Sequence, residues 1–164
     1  MTRRGPSMGA VRMAGRADFT TDEWETLRRA LLSGAELVSL AGGRRDMDRE
    51  MASVATMLQT AKAGHPSQLV RELASEPPRT VIGPDMSPGE AEEPVLGVLR
   101  AAAATLSSKA PGELEAYRSF VVRLGQVAAE ATRSGGVFGV GGQRVSYAEA
   151  SALAKVRAAL GESD

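Results

Sequence analysis

The residues able to do chemistry are few. His65 is the single histidine among 164 residues, and there is no cysteine. That excludes a thiol nucleophile, a disulfide framework, a zinc knuckle and any site built on paired histidines. Ser67 follows His65 closely, but a nucleophile and base need a third group to orient the imidazole, and the sequence assigns none. Glu113 and Glu115 stand two apart, which on a helix turns them to different faces and prevents acid–base pairing. The acidic run Asp46, Asp48, Glu50 alternates oxygen ligands as a metal loop does. Counted from Asp46, a calcium loop of the EF-hand type needs glycine at its sixth position and glutamate at its twelfth. Met51 and Met57 stand there. Asp46 reads better as a helix cap, and all three acids as favourable charge at a helix's positive end. They are nonetheless the candidate metal ligands that the sequence offers.

The other chemical suggestion is glycine-rich. Gly135, Gly136, Gly139, Gly141 and Gly142 precede an amphipathic segment that opens at Ser146. A triphosphate-binding loop needs lysine and then Ser or Thr after its last glycine, whereas Gln143 and Arg144 follow Gly142. A dinucleotide fingerprint needs a preceding strand, and the residues before this loop have helical spacing. Backbone amides at the following helix start, with Arg144 beside them, offer only a general anion site. The pattern favours a hinge or a tight hairpin, with Val137–Val140 and Gln143–Val145 as arms around Gly141-Gly142.

The elements that position these residues are helical. Thr20 and Glu23 have capping-box spacing, with Phe19 and Trp24 at the positions of a hydrophobic staple. Trp24, Leu27, Leu31, Gly34, Val38 and Ala41 then lay one apolar stripe that ends at Gly42-Gly43. Asp46 is placed to cap a second helix bearing Met47, Met51, Val54, Leu58 and Ala61, which ends near Gly64. Pro66 suits the first turn of a short helix over 67–73. Residues 76–89 hold four prolines and two glycines and predict a long irregular connection. Ser87 and Glu90 form another capping box, and Pro94 marks a place where that helix start could be reset before Val95, Leu99, Ala102 and Leu106. Pro111 opens a fifth helix with Leu114, Tyr117, Val121, Leu124, Ala128 and Ala131. Ser146 and Glu149 cap a sixth with Leu153, Val156 and Leu160, stopped by Gly161. Tyr117 and Trp24 read as core, Met47 and Met51 as gap-fillers, and His65 as an exposed or capping turn residue.

These stripes predict an all-α bundle of five to six helices, built from two similar helical hairpins, with a small Gly-rich hairpin before the last helix. Residues 18–164 form the single domain. Residues 1–17 carry Arg3, Arg4, Arg12 and Arg16 and no acid, so the neutral chain leaves 0 − 4 = −4 for the remainder. This segment reads as a basic disordered arm. Arginines without aromatics argue against nucleic acid, and Met1, Met8 and Met13 are each possible starts. No apolar run approaches the roughly 18–20 residues of a membrane span, which makes a soluble cytoplasmic protein the expectation.

Two segments echo one another. Gly42-Gly43-Arg44-Arg45-Asp46 leads to Glu50, and Gly141-Gly142-Gln143-Arg144-Val145-Ser146 leads to Glu149, each between two apolar helices. In these short segments, from Gly43 to Glu50 and from Gly142 to Glu149, the chain resembles the TerB-like family of tellurite-resistance proteins. The resemblance implies an all-α bundle, a bacterial stress-related role and metal binding by acids in the loops. Loops of that family commonly begin with an Asp-Gly pair; here Gly42 and Gly141 stand in place of the Asp, so no ligand is carried over.

The resulting expectation is a non-enzymatic module, without cofactor, that contacts a protein partner or a second copy of itself. Ile82 and Met86 in the proline-rich connection, and Phe138, Val140 and Arg144 in the glycine loop, are the expected contact residues. The alternative is a stress-response domain that binds a metal or small ligand through Asp46, Asp48 and Glu50.

Overall fold

The computed structural model describes residues 13–131 and 145–162. The fold is an all-α bundle: α1 (Thr21–Gly42), α2 (Met47–Gly64), α3 (Gln68–Ser75), α4 (Pro88–Lys109), α5 (Leu114–Ala131) and α6 (Tyr147–Ala159), with short 3₁₀ turns at Arg16–Asp18 and Pro111–Glu113. No strand occurs among the described residues. The arms expected for a hairpin at 137–145 lie outside them except for Val145, which is irregular.

Local signals set the helix starts. The Thr20 side chain accepts from the Glu23 N–H while the Glu23 carboxylate accepts from the Thr20 N–H at 2.8 Å. The Phe19 and Trp24 rings meet with centroids 6.0 Å apart, both buried, as a staple requires. The same reciprocal box forms at Ser87/Glu90 and at Ser146/Glu149. Gly43, at a φ of 104°, ends α1.

Three starts differ from expectation. Asp46 precedes α2 but makes no side-chain cap bond, because its φ of −106° and ψ of 1° depart from the extended conformation that aims a cap. Ser67, not Pro66, governs α3: its side chain accepts from the Val70 N–H, leaving Pro66 just outside the helix. Pro94 does not reset α4, which runs unbroken through it from Pro88. An interior proline costs roughly 3 kcal/mol. Complete or near-complete burial of Ala91, Val95, Leu96 and Leu99 around it offsets that cost, at about 1.5–3 kcal/mol for each large side chain.

The core organises around α1. From Ala30 to Leu40 every residue except Glu36 is buried, because α1 packs against α5, α4, α6 and α2 at once. A single-sided stripe was expected for this helix; the observed burial all round is that of a central helix. It carries Ser33 and Ser39 into the interior with it. Tyr117 is fully buried on α5 and donates its hydroxyl to the Leu27 carbonyl at 2.8 Å; burial pushes its phenol above the ordinary value.

The proline-rich connection lies along α1 as a strap. Trp24 Nε1 donates to Glu76 at 2.7 Å, Arg28 to the Pro77 carbonyl at 2.8 Å, Thr80 to Glu36 at 2.7 Å, and Arg44 to the Met86 carbonyl at 2.8 Å. Arg28 Nε lies 3.0 Å from Glu76, an ionic contact that is not aligned as a hydrogen bond. At the N-terminal side, residues expected in the basic arm are tied to the bundle: the Ala14 N–H donates to Glu113 at 3.3 Å and the Arg16 N–H to Glu72 at 2.6 Å.

Candidate functional site

The most unusual chemistry among the described residues lies where α1, α2 and α6 meet. Glu50 is 1% exposed, Glu149 4% and Ser39 0%. The Ser39 hydroxyl donates to the Glu50 carboxyl across the α1–α2 contact. Glu149 serves its own helix, accepting the Ser146 N–H at 2.7 Å. It also presses against the end of α1, where a Cβ built on Gly42 would overlap its Oε1. Burial raises the Glu50 pKa above the ordinary carboxylate value; the Ser39 hydroxyl opposes this, while the negative charges of Glu149 and Asp46 reinforce it. The buried Glu50 carboxyl is therefore costly to ionise, and the junction favours a proton retained on it or a cation beside it.

Sequence reasoning treated the acidic run as one group, and the fold separates it. Asp48 is exposed, Asp46 half-buried, and Glu50 turned inward. No three acidic or histidine side chains cluster with metal-binding geometry among the described residues. What the fold does bring within electrostatic reach of each other is Glu50 and Glu149, the acids at matching places in the two echoing segments.

Other polar residues are engaged in structure. His65 Nδ1 accepts the Ser67 N–H at 3.0 Å, and its ring meets Phe120 edge-on at 5.3 Å. Ser67 donates its hydroxyl to Glu113 at 2.8 Å while accepting from Val70. Neither residue is arranged as nucleophile to the other. Glu36, beneath the strap, has its pKa pushed up to about 7 by burial, against the stabilising bond from Thr80.

The expected contact residues are distributed as follows. Ile82 and Met86 are half-buried and pack against the core from the strap. Phe138, Val140 and Arg144 lie outside the described residues. A residue that sequence reasoning passed over stands out instead. Tyr147, the first residue of α6, is 91% exposed. It borders a shallow depression of about 450 Å³ whose walls include Leu37, Pro88, Ala148 and Ala152. No local signal marked it, since a place at a helix start does not decide exposure: Met47 and Leu114, the first residues of α2 and α5, are half-buried.

No family model matches the chain, and neither a curated protein nor a solved structure matches it. Among the described residues, no helix is long and apolar enough to cross a membrane.

Proposed function

We infer that this chain is a non-enzymatic helical module acting in the cytoplasm through contact with another protein, as a small subunit, adaptor or self-associating unit. The observation that carries this reading is Tyr147. Aromatic side chains supply much of the binding energy at protein interfaces, and this one stands in solvent beside an apolar depression. The engagement of His65 and Ser67 in capping and packing supports a role without catalysis. Native mass spectrometry of the protein taken from its own host tests it. A mass above the monomer is expected, and Tyr147→Ala should lose it with helicity unchanged by circular dichroism. A bare monomer, or an assembly indifferent to that substitution, would sink the reading.

A second reading rests on the meeting of Glu50 and Glu149. In it the module is a stress-response domain, of the TerB-like kind, whose junction takes a cation or small ligand. A ligand bound only by the native state raises the melting temperature. Millimolar calcium, zinc or manganese should then raise Tm in the wild type and not in Glu50→Gln. An unchanged wild-type Tm removes this reading.

A further inference from the structure

At the opposite end of α6 from Tyr147, a groove of about 630 Å³ opens between α2 and α5. Its floor is apolar: Ala61, Phe120 and Val122 are buried within it, and Met57 forms part of the wall. That volume falls in the range of small-ligand sites, which pair an apolar surface with a few placed polar groups.

Three of the polar groups that line it, His65, Arg123 and Arg157, are donors. His65 has its Nδ1 occupied as an acceptor by the Ser67 N–H, so a neutral imidazole carries its proton on Nε2. Burial lowers the His65 pKa, which favours the neutral ring. Nothing among the described residues accepts from Nε2. Arg123 and Arg157 add two guanidiniums. Arg123 reaches Glu130 only at 3.6 Å and Gln126 at 3.4 Å, while Arg157 reaches Glu162 at 3.4 Å. Such long, half-exposed pairs contribute little, about 0–1 kcal/mol, so these cations are free to take a better acceptor. The Thr60 and Ser119 hydroxyls are turned to their own helix, donating to the Thr56 carbonyl at 3.1 Å and to Glu115 at 3.0 Å. Among the described residues, Glu162 is the single carboxylate lining the groove.

An apolar floor under two guanidiniums and a fixed N–H donor complements one kind of molecule. The geometry points to a binding site for a small amphipathic carboxylate, its apolar body lying over Phe120 and Met57 and its head received by Arg123, Arg157 and His65 Nε2. This site is separate from the Tyr147 surface and the Glu50–Glu149 junction, and does not depend on either reading above.

His65 is the only imidazole in the chain, so its ring resonances report on this groove alone. The full-length protein, isotopically labelled, is titrated with decanoate and, in parallel, with decanol. Decanoate should move the His65 ring signals saturably, and decanol should bind at least about tenfold more weakly, the difference expected for a charge-assisted bond. The doubly substituted Arg123→Gln/Arg157→Gln protein should bring decanoate down to the affinity of decanol and leave decanol unchanged. Both arginines are substantially exposed; decanol binding by the variant reports that its groove is intact, and the decanoate–decanol difference in the wild type does not depend on the variant at all. Absence of a saturable shift would overturn the proposal, as would equal binding of decanoate and decanol, or decanoate binding that the double substitution leaves intact. A His65 shift that follows protein concentration with no ligand added would assign the groove to a second copy, and would overturn it too.

Discussion

At the start of α6, Ser146 caps the helix and Glu149, three residues on, returns its carboxylate to the Ser146 N–H. At the start of α2, Asp46 makes no such bond, and Glu50, four residues on, turns away from its own helix to Ser39 of α1. The two segments share a Gly-Gly pair, a basic residue, a cap position and an acid. A shift of one residue rotates a side chain by about 100° around the helix axis. At the third helical position the carboxylate closes a local loop with its own backbone; at the fourth it faces a neighbouring helix. The same composition therefore yields a carboxylate hydrogen-bonded to its own helix start in one case and one hydrogen-bonded across to a neighbouring helix in the other.

The strongest way to break this arrangement is to crowd it. Gly42→Ala would drive a Cβ into Glu149, which its cap bond and burial hold in place, and should cost about 2–3 kcal/mol in denaturant unfolding. Ser39→Ala removes the hydroxyl partner of a buried carboxyl and should cost about 1–2 kcal/mol. The comparison is sharpest at the caps themselves. Ser146→Ala should cost about 1 kcal/mol, whereas Asp46→Ala should stay within about 0.5 kcal/mol, since no cap bond is lost there. Equal costs at the two positions would contradict the different cap geometries.

A separate effect is a slope with pH. The Glu50 carboxyl releases its proton near 4.5 when unfolded and at higher pH when folded. Between those points the native state holds the extra proton, so this contribution is complete at low pH and is lost as pH rises through the folded value. Glu36 behaves alike, with its folded value about 7. Relative to Glu50→Gln or Glu36→Gln, the wild type should melt at progressively lower temperature as pH rises above 4.5, and for Glu36 the difference should level off beyond about 7. A difference that is flat with pH would show that these carboxyls titrate normally.

Much of the fold was legible because it is written in interactions spanning four residues or fewer. The boxes at Thr20, Ser87 and Ser146, the Phe19–Trp24 staple and the stripe through Val54, Leu58 and Ala61 are all of this kind. Illegible features depend on where a helix lies in the bundle. Nothing near Ser39 announces that α1 is enclosed on every side, and nothing near Glu50 announces Ser39. The strap is fixed by pairs such as Thr80–Glu36 and Arg28–Pro77, separated by 44 and 49 residues. Pro94 misled because the local penalty is real and is outweighed only by burial of its neighbours. At the candidate sites, the acids at 46–50 were visible as residue types, but their separation, and the encounter of Glu50 with Glu149, followed from packing alone.

The bond between Trp24 and Glu76 has an optical consequence. The chain contains one tryptophan; its ring is 2% exposed, with Arg16 stacked 5.4 Å above it, and its indole N–H is held by the first residue of the strap. Emission from this lone tryptophan, excited at the red edge where Tyr117 and Tyr147 do not absorb, should therefore shift to the red as soon as Glu76 withdraws and water reaches the indole, before the helices themselves come apart. Intrinsic fluorescence and far-ultraviolet dichroism, recorded on one sample, would then trace two separate curves: detachment of the strap, and collapse of the bundle beneath it.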